Sequence, residues 1–332
     1  MNRFRSPESI PLTWLAVIVL AFLWQGCAHH AVLPDRPRQA IYVAGEWPVD
    51  MVRQQAPVFM AYDYADTDNR IGRPAIGGEG KDDDDVWIDT DHPAVYVMQR
   101  TFTTARATYT NLIYRVHFPR VPYVHLTAGN NVGLMVVITL DAANRPVLVT
   151  TVHTCGCYKA FIPTDYLPAD ALPEGWDVNQ RQTVYGEILP SRLVFDGVDN
   201  PALLIHLRPE VHRAMDVEVV SADQLRGDAY LPLAMEVDAM DALDRLPLDD
   251  GTATSFYYEQ GWRKGHVKGT IKPFEMMFMS LISMDLFVGS DKIYADPAIW
   301  DNPFYTSLKP WRRDDSDMWD FARFLDYWGW RL

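Results

Sequence analysis

Three metal-capable or redox-capable side chains stand two residues apart near the middle of the chain: His153, Cys155 and Cys157. On an extended strand, residues two apart face the same side, so the imidazole and both sulfurs would point together. Zinc accepts this donor set. On a straight strand, however, each pair of Cα atoms would lie ~6.6 Å apart, from a rise of ~3.3 Å per residue, too far for thiolates bound at ~2.3 Å. The backbone must therefore curl, and Gly156 is the residue that permits it. A tetrahedral site needs a fourth donor, which His117, His125 or a water could supply. The same two sulfurs could instead form a disulfide, which accepts Cα separations up to ~6.8 Å. So small a loop removes little chain entropy. A strained bridge is readily reduced, and His153 could stabilise a thiolate, so thiol–disulfide chemistry is a third reading. Metal ligation, a structural bridge and redox chemistry all remain open.

The elements that must position these residues read mainly as strands. Residues 132–140 and 146–152 are β-branched apolar runs on either side of a short polar segment, Asp141 to Arg145, which is a hairpin pattern. In 109–118, Leu112, Tyr114, Val116 and Phe118 share one face, and Ile113, Arg115 and His117 the other. Residues 163–182, with Pro163, Pro168 and Pro173, read as a long connection and mark a boundary between two possible lobes. Further strands are expected at 183–189, 193–195, 202–207 and 217–220. Residues 233–246 carry apolar side chains near helical spacing, and 274–288 is a Met-rich apolar run that fits a buried helix. A last helix, capped by Ser316 or Asp317, would bury Met318, Phe321, Leu325 and Trp328 and stop at Gly329. Strands followed by late helices predict an α+β body, rich in antiparallel strands, with helices mainly in the C-terminal third.

Composition narrows the function. The chain has 332 residues, 48% hydrophobic, and a net charge of −14. The core can be large, and the acidic balance excludes nucleic acid as a partner. The one basic cluster, 262–268 around His266, could hold an anion or form a solvated turn. Asp66, Asp68 and Asn69 do not make a calcium loop, because Ile71 and Gly77 stand where Gly and Glu are needed. The acidic stretch 81–85, with Asp89 and Asp91, reads as a solvated loop. No phosphate loop, nucleophile elbow or HExxH pattern occurs.

Arg3 and Arg5 precede an apolar run of about 13 residues, 12–24, short of the ~20 that span a bilayer. This is a signal-peptide pattern. Its ending, Leu23, Trp24, Gln25, Gly26, Cys27, resembles the lipobox of bacterial lipoproteins, with Trp24 where that family prefers Leu. The resemblance covers the first 27 residues. It implies a signal peptide over 1–26, acylation of Cys27 and a lipid anchor in the membrane. With Ala28 following, it further implies the outer membrane, facing the periplasm. Residues 27–40 then form a tether and 41–332 the globular body. Three function classes follow: a structural or ligand-binding lipoprotein, a zinc-binding protein or metalloenzyme, and a periplasmic thiol–disulfide protein.

Overall fold

The computed structural model describes residues 39–45, 50–78, 85–225 and 230–332. The signal peptide, Cys27, most of the tether and most of the 81–85 acidic stretch lie outside them. The strands that matter are β1 (Ala40–Ala44), β2 (Val58–Ala61), β3 (Arg73–Ile76), β4 (Val86–Asp89), β5 (Ala94–Thr103), β6 (Thr108–Val121), β7 (Gly129–Leu140), β8 (Pro146–His153), β9 (Ala160–Pro163), β10 (Gln182–Val184), β11 (Glu187–Leu189), β12 (Pro201–Leu207), β13 (Ala214–Ser221) and β14 (Leu231–Ala239). Ten of them form one sheet in the order β13-β12-β2-β1-β14-β5-β6-β7-β8-β9. The described helices are α1 (Asp50–Gln54), α2 (Pro273–Ser283), α3 (Pro297–Trp300) and α4 (Phe321–Tyr327).

This architecture overturns the expected α+β body. Among the described residues strand accounts for 39% and helix, 3-10 turns included, for 18%, and the sheet is curled and mixed rather than antiparallel. The parallel pairs are β2 with β12, β1 with β14, and β14 with β5. Much of the error lies in 233–246. Leu233, Met235 and Val237 also alternate, and β14 enters the middle of the sheet, where pairing on both edges satisfies its backbone. Tertiary pairing outweighs the helical spacing. Only Met240–Asp244 turns, as a short 3-10 helix.

The long central strands divide two cores by strict alternation. Leu112, Tyr114, Val116 and Phe118 of β6 and Leu134, Val136 and Ile138 of β7 face the inside of the curl. Ile113, Met135 and Val137 face a second core, covered by the C-terminal segment through Phe256, Tyr257, Ile293, Phe304, Met318 and Phe324.

Two helices differ from expectation. The last is capped by Asp320, whose carboxylate accepts the Arg323 N–H, rather than by Ser316 or Asp317. Ser316 Oγ instead accepts the Ser307 N–H at 3.1 Å, and Asp317 accepts that of Trp319. Met318, Phe321 and Leu325 are buried as expected, while Trp328 is half-buried. The apolar helix α2 is not buried: Met277 is 62% exposed, Leu281 89% and Ile282 65%. Only its Glu275 and Ser283 are buried. The helix is turned polar side inward, because its inner neighbours are charged.

The C-terminus locks the outer core. The Trp330 ring lies 5.0 Å from that of Trp176 and 5.5 Å from that of Phe161. Trp330→Ala should therefore lower stability by roughly 3–5 kcal/mol, read as a shift in the denaturant unfolding midpoint. An unchanged midpoint would mean that the C-terminus is not part of the cooperative unit.

Candidate functional site

At the end of β8 the chain reverses in one tight turn. The His153 carbonyl accepts the Gly156 N–H at 2.8 Å, and the His153 N–H donates back to the Cys157 carbonyl at 2.9 Å. Gly156 has φ +87°, and a Cβ there would lie 2.1 Å from the Tyr305 carbonyl oxygen. Both the left-handed backbone and the lack of space require glycine. The curl inferred from the sequence is thus present, and it brings Cys155 and Cys157 to a Cα separation of 5.5 Å, bridged as a disulfide. One His153 ring nitrogen and both sulfurs lie within 4.8 Å of one another.

The two sulfurs are not equivalent. Cys155 is 4% exposed and Cys157 half-buried. Cys155 Sγ accepts the Cys157 N–H at 3.3 Å, a contact that would also favour a thiolate there. His153 is fully enclosed, edge-on to Tyr158 at 4.9 Å, and neither ring nitrogen has a well-formed hydrogen bond. Burial, with help from Lys272, His212 and Arg213, holds its imidazole well below the usual range, so it is neutral.

The proposed fourth donors are elsewhere. His117 is buried in β6, accepts the Arg115 Nε–H at Nε2 (3.1 Å), and packs edge-on against Tyr96 and Phe256. His125 pairs with Glu210 at 2.6 Å. Neither joins the group, because β6 and the loop after it direct their rings into other contacts. His266 is enclosed, its ring 5.6 Å from that of Phe287, and burial together with Lys292 takes it down to about 3.

Around the turn stands a set of buried charges that the sequence reading missed. Asp291 Oδ2 accepts the Gly133 N–H at 2.7 Å and the Thr154 hydroxyl, and Oδ1 pairs with Lys272 Nζ at 3.0 Å. The Lys292 N–H donates to the Thr154 carbonyl at 2.8 Å. Lys292 Nζ has no hydrogen bond and lies 3.5 Å from the centre of the Tyr305 ring. Burial, reinforced by Arg313 against Asp285 and Asp291, brings its amine down to about 8. Burial also opposes the charge on Lys272, but Asp291 and Glu275 outweigh it and raise its pKa. Burial raises that of Glu275 in turn. On the inner face, Glu187 holds Arg208 and Arg213 at 2.6–2.9 Å, and Arg213 lies over the Tyr158 ring at 4.9 Å. The available signal was charge inside apolar sequence: Lys272 and Glu275 flank the start of the Met-rich run, and Asp291 and Lys292 follow its end.

A cleft of about 450 Å³ lies in the C-terminal layer, lined by Asp301, Asp314, Asp317, Trp319, Asp320 and Arg323. None of the candidate residues reaches it. No family model, curated protein or solved structure matches the chain. Among the described residues no helix is long and apolar enough to cross a membrane.

Two outcomes test this arrangement. Gly156→Ala should cost at least ~2 kcal/mol through backbone strain and the Tyr305 clash. Gly197→Ala, also at positive φ but with open space around it, should cost less. Equal midpoints for the two variants would contradict the packed turn. The second outcome concerns pH. Burial lowers His212 to about 4 from an ordinary 6.5. A group depressed on folding stabilises above its unfolded value and loses that contribution as pH falls. Asp317, raised by burial to about 6, acts in the opposite sense over part of the window. The thermal midpoint should fall between about pH 6.5 and 4, and His212→Asn should flatten the fall by up to ~3 kcal/mol. A slope unchanged by the substitution would show that His212 does not contribute to the fall, leaving it to His117, His153 and His266, which burial also depresses.

Proposed function

We propose that this chain is a lipid-anchored protein of a bacterial envelope, held at the outer membrane through Cys27 and facing the periplasm, and that Cys155 and Cys157 cycle between disulfide and dithiol. The lipobox-like ending at Cys27 supports the anchor. The inequality of the two sulfurs carries the redox reading. A partner thiolate attacks the more exposed Cys157 Sγ, and the S–S bond breaks. Cys155 leaves with the electron pair as a thiolate, next to the Cys157 N–H. A second partner thiolate then attacks the partner sulfur of the mixed disulfide and releases Cys157 as a thiolate. Two partner thiols are oxidised to one disulfide, the pair is reduced to a dithiol, and two protons move from the partner thiols to the protein or to solvent.

The test is thiol titration of the folded protein in glutathione buffers of graded ratio. Oxidised protein should show no thiol from this pair and reduced protein two. Cys155→Ser should trap a mixed disulfide on Cys157, whereas Cys157→Ser should react at least ~10-fold more slowly because Cys155 is enclosed. A bridge that resists excess dithiothreitol until the protein unfolds would make it structural and end the redox reading.

A zinc reading has its own support in the convergence of His153, Cys155 and Cys157. Bridged sulfurs offer no thiolate, so these residues fit zinc only when reduced, with a water or another donor completing the set. Reduced protein should then take up one zinc and lose two titratable thiols, and His153→Ala should weaken that uptake. No uptake by the reduced protein would remove this reading.

A further inference from the structure

Helix α2 is amphipathic in the wrong sense for a core element. Its polar side, Glu275 and Ser283, faces the buried charges, and its apolar side faces outward. The exposed surface runs from Leu281, 89% exposed, past the helix end to Met284 at 77% and Leu286 at 59%. Two exposed tryptophans belong to segments that reach it. Arg263 lies 5.9 Å from the Phe287 ring, and the adjoining Trp262 is 85% exposed. Arg313 donates to the Ser283 carbonyl at the end of α2 at 2.5 Å, and Trp311, two residues before it, is 77% exposed.

We propose that this face lies on a phospholipid bilayer, with the end of α2 and the turn after it inserted at headgroup depth and Trp262 and Trp311 at its rim. Contiguous apolar surface of this kind marks an interaction site. Tryptophan next to lysine and arginine is the side-chain set of a membrane–water interface. Here the neighbours are Arg263 and Lys264 on one side and Lys309 and Arg312 on the other. Lys264 pairs with Asp301 and Arg312 with Asp315, so the patch brings balanced charge to the headgroups although the chain as a whole is acidic.

The place where the chain enters the fold points the same way. Ala40 pairs with Leu231 five residues before Glu236 meets Ala94, so β1 begins at the end of the sheet where β6 finishes and β7 starts. There a side chain at Gly129 would meet Lys272, just before α2. The anchor proposed at Cys27 would join the body at that same end. Twelve residues of chain reach at most ~40 Å, so the anchor would hold this face near the bilayer. The occupant therefore rests on the lipid-anchor reading, whereas the shape and chemistry of the patch do not.

The test uses the full acylated chain on phosphatidylcholine–phosphatidylglycerol vesicles whose acyl chains carry bromine near the headgroups. Bromine should quench part of the tryptophan emission, and that part should disappear in Trp262→Phe/Trp311→Phe while the protein still floats with the vesicles. Leu281→Asp/Ile282→Asp, which alters only exposed positions, should at least halve the quenching with no change in thermal midpoint. Quenching that is absent, or equal in parent and Trp262→Phe/Trp311→Phe, would overturn the proposal. Self-association in sedimentation, abolished by Leu281→Asp and without quenching, would also overturn it by giving the face to a second copy. Fatty-acid labelling of Cys27 is scored separately. If Cys27 carries no acyl group yet flotation still falls on Leu281→Asp/Ile282→Asp, the anchor reading fails and the docking face stands.

Discussion

Asp291 is the group on which the arrangement of the site depends. One buried carboxylate accepts from the Gly133 backbone and the Thr154 side chain and pairs with Lys272. It thereby ties the start of β7, the turn after β8 and the lead-in to α2 to one point. The next residue continues the fastening: the Lys292 carbonyl accepts from Arg115 on β6 at 2.9 Å, and its N–H reaches Thr154. A buried ion pair adds little net stability over a well-packed apolar alternative, because desolvation offsets attraction. Removing one partner strands the other and is costly. The cluster therefore specifies a geometry more than it stabilises one. The geometry it specifies is the turn at Gly156, pressed between Tyr305 and the sheet.

Two features that look unrelated follow from that fastening. The polar side of α2 must face the sheet, because Glu275 lies in the field of Lys272 and Lys292, so the apolar side is left outward. The disulfide, in turn, sits beside His153, which burial, with Lys272 and Arg213, keeps neutral, and the Cys155 sulfur accepts the Cys157 N–H. That hydrogen bond favours a thiolate as leaving group. The setting of the disulfide and the exposed face are thus two results of the same choice of which residues to bury.

What could be read from the chain was local. The hairpin of β7 and β8 was legible because two β-branched apolar runs flank a short polar turn, and the faces of β6 followed from the two-residue strand period. The curl at Gly156 was legible because three donors at spacing two cannot converge on a straight strand. The state of the sulfurs was not, since one spacing serves a bridge and a metal alike. Nor was the charge cluster, because Gly133 and Asp291 are 158 positions apart and nothing in either neighbourhood names the other. Residues 233–246 were misread because their apolar positions satisfy two periods and only the partners on both sides select one. A Met-rich run reads as core until the groups beneath it are known to be ionic.

The placement of β14 has a consequence for the order in which the molecule can form. This strand is a late segment inserted between two early ones, and its pairing of Ala40 with Leu231 spans 191 positions. Until residue 239 is available, β1 and β5 each keep an open edge, and the two halves of the sheet have no bond between them. Contacts of such long range close slowly, and open edges invite pairing with other chains. The sheet therefore cannot be completed from the N-terminus as the chain emerges. Its assembly waits for more than two thirds of the polypeptide, and until then both inner edges must be kept from other chains.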